Sequence, residues 1–252
     1  VSQPADAPDE VFTAAVGTFT TLFHDDFEQD KGWLAENHGA TDGDWERGVP
    51  VDDPDWFYDP FTDADGSGQC FLTANRLGNS DVDGGAVRLT SPVLDMTAED
   101  ITLRYSFYLY ADDQGPADYF LVEISSNGLA GPWKEVVRHI RNNGLSWRTD
   151  SFTGAELQAL GIDLTDQMHV RYTVCDGGSE HALESGLDAF DVLSFGCGDS
   201  CPADFDGDGD VDTADLLYLL AAWGTPDGDV DGDGDTDTAD LLALLAAWGE
   251  CP

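Results

Sequence analysis

The sequence predicts a mainly β protein, a β-sandwich followed by a small α-helical module, and three observations carry that expectation. Short runs of alternating apolar and polar residues, separated by Gly and Asn turns, fill the chain up to residue 197. After them come two copies of one Asp-rich unit, each followed by a leucine-rich stretch of helical length. At 252 residues, 41% apolar and 11% aromatic, the chain can also bury a real core. The expected division is therefore 1–22 as an N-terminal extension or first strand, 23–197 as the sandwich and 198–252 as the module, with a hinge at 196–200 (GCGDS).

Residues 11–23 (VFTAAVGTFTTLF) are apolar, β-branched and uncharged. They fit a first strand, the tail of a preceding domain, or an exposed strand that completes a neighbour's sheet. Val87 and Leu89 suggest a strand. In residues 101–110 (ITLRYSFYLY), Ile101, Leu103, Tyr105, Phe107 and Leu109 share one face, with Thr102, Arg104 and Ser106 opposite. Phe120, Val122 and Ile124 alternate likewise, before a turn at 125–128 (SSNG) whose Asn-Gly pair tolerates positive φ. Residues 133–140, 168–174 and 187–195 are further strands, and 154–160 reads as a short helix. The spacing suits an all-β sandwich and not βαβ units.

The formal charge is −41, from 51 acidic against 10 basic residues, which argues against nucleic acid and anionic membranes as partners and for cations. No apolar run is long enough for a membrane span. The chain begins at Val1 without a basic signal region, as expected of a processed or trimmed form. Cys70, Cys175, Cys197, Cys201 and Cys251 lack the spacing of a zinc site, so disulfides in an oxidising compartment are expected, with one thiol left over.

Asp204 and Asp229 begin two copies 25 residues apart, DFDGDGDVDTADLLYLLAAWG and DVDGDGDTDTADLLALLAAWG. Calcium-loop positions 1, 3, 5, 7, 9 and 12 fall on Asp204, Asp206, Asp208, Asp210, Asp212 and Asp215, then on Asp229, Asp231, Asp233, Asp235, Asp237 and Asp240. Gly209 and Gly234 occupy the sixth position, where the loop must turn sharply. Hard oxygen donors on alternate residues suit a six- to eight-coordinate calcium, one per loop, although Asp at position 12 reaches less far than the usual Glu. Without the ion, so many like charges should repel and unfold the module.

The last fifty or so residues resemble the type I dockerin family, in a variant bracketed by Cys-Pro pairs, here Cys201-Pro202 and Cys251-Pro252. The resemblance implies two antiparallel loop-helix units, clamped terminal cysteines, and docking onto a cohesin domain. It also assigns partner reading to loop positions ten and eleven, Thr213-Ala214 and Thr238-Ala239, whose identity would permit two binding orientations. The helices 216–223 (LLYLLAAW) and 241–248 (LLALLAAW) depart from the family in lacking basic residues. Helices apolar all round should be buried on more than one side, against a cohesin, the chain's own sandwich or a neighbouring subunit.

The larger region carries His24-Asp25-Asp26-Phe27-Glu28, Gly32-Trp33, Gly43-Asp44-Trp45-Glu46-Arg47-Gly48, Leu72-Thr73, residues 78–85 (GNSDVDGG), Leu89-Thr90-Ser91-Pro92 and Glu184-Ser185-Gly186-Leu187-Asp188. In these it resembles the calcium-containing jelly-roll sandwiches of secreted bacterial proteins, akin to MAM-like and carbohydrate-binding modules. Asn79, Asp81 and Asp83 alternate in a Gly-bounded loop, so they are expected to converge on a calcium with Asp26 and Asp188. Trp56, Phe57, Tyr58 and Phe61 (PDWFYDPF) would stack on sugar rings or cap a core. No HExxH, GxSxG or phosphate loop is present, and Ser179, Glu180 and His181 are mere sequence neighbours, so no enzyme is expected.

The sequence therefore leads to a secreted bacterial protein, extracellular or on the cell surface, that binds or anchors through its module. The alternatives are a self-assembling filament or surface-layer subunit using the N-terminal strand and apolar helices, or the accessory C-terminal region of a longer secreted hydrolase.

Overall fold

A computed structural model describes residues 18–112, 115–142, 144–177, 181–196 and 201–251. Residues 11–17 of the apolar N-terminal segment, the hinge residues 197–200 with Cys197, Ser179 and Glu180, and Pro252 lie outside the described residues. The described chain falls into two compact units, Phe19–Phe195 and the part from Gly196 onward.

The first unit is two antiparallel sheets. One has the order β3 (Trp45–Gly48), β4 (Cys70–Thr73), β11 (Leu183–Gly196), β6 (Ile101–Ala111), β9 (Arg148–Thr153), with β1 (Thr18–Asp25) also pairing with β11. The other runs β2 (Leu34–His38), β5 (Gly85–Thr90), β10 (His169–Asp176), β7 (Tyr119–Ser125), β8 (Trp133–His139). The expected strands at 101–110, 120–124, 133–140, 168–174 and 187–195 are β6, β7, β8, β10 and β11. The helix α1 (Gly154–Ala159) starts in a capping box between Thr153 and Glu156.

Alternation builds the core between the sheets. Leu103, Tyr105, Phe107 and Leu109 of β6 meet Val170, Tyr172 and Val174 of β10 in one buried cluster. The Tyr105 and Tyr172 rings pack edge to face, centroids 5.0 Å apart. The strand β6 is not simply half-buried, however, because Tyr108, on its other face, is only 1% exposed.

A covering segment explains this. Leu183 and Leu187 of β11 point into the core, whereas Glu184, Gly186 and Asp188 point the other way and are buried too. The segment 53–69 lies over them: Trp56 Nε1 donates to Glu184 at 2.8 Å and Ala64 N donates to Asp188 at 2.7 Å. Trp147, whose Nε1 donates to Thr62 O at 2.8 Å, sits where a Cβ on Gly186 would fall, 2.6 Å from the ring.

Gly43 is a second place where only glycine fits. It has φ +91°, and a Cβ there would stand 2.4 Å from the Val82 Cα. Gly43→Ala is expected to destabilise the sandwich by about 2–3 kcal/mol, read as a lower urea midpoint at unchanged slope.

The second unit contains β12 (Asp210–Val211), α2 (Thr213–Ala221), a 3-10 turn at Pro226–Gly228, α3 (Thr238–Ala246) and β13 (Gly249–Glu250). Its core is small: Ala203, Val211, Leu219 and Leu244 are fully buried, with Phe205, Leu216, Val230 and Leu241 packed around them. The helices are not buried on several sides within this unit, since Leu217, Leu220, Leu242 and Leu245 remain exposed.

The expected cysteine pairing is met in part. Cys201 and Cys251 form a disulfide. Cys70, on β4, and Cys175, on β10, are free thiols.

Candidate cation sites and exposed surfaces

Each aspartate loop of the second unit is organised around its twelfth-position residue. Asp215 is fully buried and accepts from the backbone N–H groups of Phe205 (2.6 Å), Asp206 (3.3 Å) and Asp212 (2.8 Å). Asp240 repeats this with Val230 (2.7 Å), Asp231 (3.2 Å) and Asp237 (2.6 Å). The same carboxylates complete the capping boxes of α2 and α3 with Asp212 and Asp237. Each Asp side chain thus ties the start of its loop to the start of its helix.

The first-position residues anchor the turn. Asp204 accepts from Gly207 N (2.8 Å) and Gly209 N (3.0 Å), and Asp229 from Gly232 N (2.7 Å) and Gly234 N (2.8 Å). Gly209 and Gly234 carry φ of 93° and 102°, the left-handed backbone this turn needs. Carboxylate oxygens of Asp204, Asp206 and Asp215 then lie within 4.8 Å of one another, as do those of Asp229, Asp231 and Asp240. Asp235 and Asp237 form another such group with Asp240. Asp208, Asp210, Asp212 and Asp233 lie on the loops outside these groups, Asp208 and Asp233 accepting from the N–H two residues on.

Desolvation and then the neighbouring Asp208 charge raise Asp206, and desolvation first raises Asp231. Burial works against Asp215 as well, but its backbone donors outweigh it and hold the carboxyl below its usual value. Residues 201–252 include fourteen acidic groups and no lysine or arginine to neutralise them. This donor set, all hard oxygens without a compensating base, fits calcium.

The sandwich brings together a different set from the one expected. Asp188 groups with Asp63 and Asp65, and neither Asp81 nor Asp83 belongs to that group. The 79–83 segment is tied to the start of β11 by Val82 N to Leu183 O (3.0 Å), five residues before Asp188. There Asp83 bridges Asp42, and burial followed by the Asp83 charge pushes Asp81 up to about 6. The Asp26 side chain is taken up by its own turn, accepting from Glu28 N at 3.2 Å. The Asp26 carbonyl is linked to the group through Ser67 Oγ (3.2 Å), which also reaches Asp63 (3.4 Å).

Residues 63–68 (DADGSG) spell the first six positions of the C-terminal loops. Gly68 N donates to Asp63 at 2.8 Å as Gly209 N does to Asp204, and Ser67 N donates to Asp65 at 2.8 Å as Asp208 N does to Asp206. Ala64 N donates to Asp188 as Phe205 N does to Asp215. Asp188 therefore takes the place of the twelfth residue, delivered from β11. Burial pushes its carboxyl up to about 7 against the pull of Ala64 N and Ala189 N, with Asp65 and Asp63 adding to the rise.

No protein-family model and no curated protein matches this chain. Among solved structures it is similar to the K1 cleaved adhesin domain of Lys-gingipain from Porphyromonas gingivalis. That match has 16% identity and a TM-score of 0.45, over 71% of this chain and 100% of that one. The K3 adhesin domain of the same protein aligns at 17% identity and a TM-score of 0.41, over 70% and 99%. The CBM22-1 xylan-binding domain of Paenibacillus barcinonensis Xyn10C aligns at 14% and 0.39, over 71% and 96%.

Two exposed surfaces bear on the partners expected from the sequence. Leu217, Leu220 and Trp223 are 62%, 48% and 44% exposed, and their repeat counterparts Leu242, Leu245 and Trp248 are 63%, 49% and 47%. Thr213, Ala214, Thr238 and Ala239 are exposed at the starts of the same helices. On the sandwich, Phe57 and Phe61 project from the covering segment while Trp56 and Tyr58 are drawn inward. Among the described residues no helix is long and apolar enough to cross a membrane.

Proposed function

We propose that this is an extracellular, calcium-stabilised, non-enzymatic binding or anchoring protein whose sandwich is tethered through a dockerin-like C-terminal unit. The observation that carries the reading is the matched exposure of six large apolar residues at repeat-related positions. A face this apolar is a docking surface, and its duplication offers one cohesin-like partner two equivalent orientations. The calcium loops support it, because each aspartate cluster needs cation charge before its helix can be presented. When bound, calcium would supply charge neutralisation and cross-linking of the loop ends in the two C-terminal loops and in the Asp63, Asp65 and Asp188 group.

Titration calorimetry with calcium is expected to show three sites per chain, and binding of a cohesin-domain panel is expected to vanish with EGTA. Absence of any cohesin binding, together with a calcium-dependent dimer in sedimentation, would move the reading to self-association. A second reading concerns the sandwich: the exposed Phe57 and Phe61 rings favour stacking on sugars. A glycan array without a single positive removes it.

A further inference from the structure

On the outward face of β11, Glu184 comes together with Asp59 of the covering segment around the Ser80 hydroxyl, and neither acid belongs to the cation groups. Glu184 is fully buried and Asp59 is 8% exposed. Ser80 Oγ lies 2.7 Å from Asp59 Oδ2 and 3.1 Å from Glu184 Oε1, so one hydroxyl hydrogen faces two carboxyl groups. The other donors are Trp56 Nε1, 2.8 Å from Glu184 Oε1, and Thr73 Oγ1, 3.4 Å from Glu184 Oε2 and 3.2 Å from Ser185 O. Among the described residues neither acid takes part in an ion pair. Asp53 in the covering segment acts on Asp59, and Tyr108 on β6, with Tyr110 beside it, faces both acids; none of these groups carries positive charge.

Both carboxyl groups reach the same Ser80 hydroxyl out of water, and no lysine, arginine or histidine among the described residues pairs with either, so two negative charges there would repel strongly. A proton held between them removes the repulsion and supplies the missing hydrogen bond. We propose that Asp59 and Glu184 share one proton that latches the aromatic segment 53–62 onto the sandwich, and that loss of this proton releases the segment.

The latch sits at the centre of the segment's attachments. Asp59 lies next to Tyr58, whose carbonyl accepts from Tyr108 at 2.6 Å and whose ring packs on Tyr110 at 4.7 Å. Trp56 hangs directly from Glu184. Release would therefore change the presentation of both exposed rings, Phe57 and Phe61.

The direction with pH follows. Burial, then the charge of the partner Asp59, raises Glu184 well above the usual carboxylate range, and burial raises Asp59. Closure takes up a proton, so it is favoured below the open-state values near pH 4 and lost as pH climbs through the closed-state value of the pair. Ionisation of the two β6 tyrosines beside the pair does not mimic this, since burial pushes Tyr110 up to about 12 and raises Tyr108 as well.

The test is a near-ultraviolet circular dichroism titration of the full chain in calcium, from about pH 5 to about pH 8.5, below the ordinary tyrosine ionisation range. The wild type is expected to lose aromatic signal reversibly with its far-ultraviolet spectrum intact. Glu184→Gln keeps an acceptor for Trp56 and a permanent donor for Asp59, so its signal should stay flat; Asp59→Asn should do the same and decides the matter if the first variant does not fold. A wild-type signal that does not change, or a transition retained in either folded amide variant, overturns the latch.

Discussion

Chelation of divalent cations with EGTA is expected to abolish the helical signal of residues 201–251 while the strand signal of the sandwich persists. The sandwich has an extended core that includes Tyr105, Phe107, Tyr172 and Phe190, whereas the second unit has four fully buried apolar residues and fourteen acids without a lysine or arginine. Its loops hold three carboxylates within 4.8 Å, an arrangement that self-repulsion opposes unless cation charge is present. The residue on which each loop turns is the twelfth. Asp215→Ala removes the acceptor of three backbone N–H groups and one member of the triad together, and is expected to lower the melting temperature of the unit by on the order of 10 °C or more in saturating calcium. Asp208→Ala, which deletes an acceptor for one N–H and lies outside the triad, should cost far less. Calorimetry should find one calcium fewer in the Asp215 variant. Equal melting of the two variants would refute the assignment of Asp215 as the organising ligand.

The sequence made the strands with clean alternation legible, such as 101–110 and 168–174, because each buries one face against the other sheet. It hid others for physical reasons. β2 is LAENH, exposed at every position, and owes its conformation to pairing with β5 and not to its own pattern. β4 is CFLT, buried at every position under the covering segment, so it shows no alternation at all. The C-terminal loops could be read whole, since all twelve positions are contiguous. The sandwich group was half legible: Asp188 stood out, but Asp63 and Asp65 did not, although DADGSG spells the start of the same loop. Its completing acid lies 124 residues from Ala64, and only the fold brings the two together. Glu184 and Asp59 were invisible for the same reason, as their partnership depends on a segment folding over the back of β11.

Opening the Cys201 to Cys251 disulfide, by Cys201→Ser with Cys251→Ser, is expected to be the second large effect. The bond spans a sequence separation of 50, and closing a loop of that size constrains the unfolded chain by about 4 kcal/mol. For a unit with so small a core, that is a large part of what a domain this size can hold. The loss should also be asymmetric. Cys251 N donates to Gly209 O at 2.9 Å, and β13 pairs with Asp210 and Val211, so the clamped C-terminus is seated on the turn of the first loop and not of the second. Freeing it removes support from Gly209, whose own N–H holds Asp204 in place. Calcium titration of the double variant should therefore show the first site weakened more than the second, resolved by combining it with Asp240→Ala to leave only the first loop competent. If both loops weaken equally, the clamp acts on the unfolded chain alone; if neither weakens and melting is unchanged, the disulfide has no part in holding the loops.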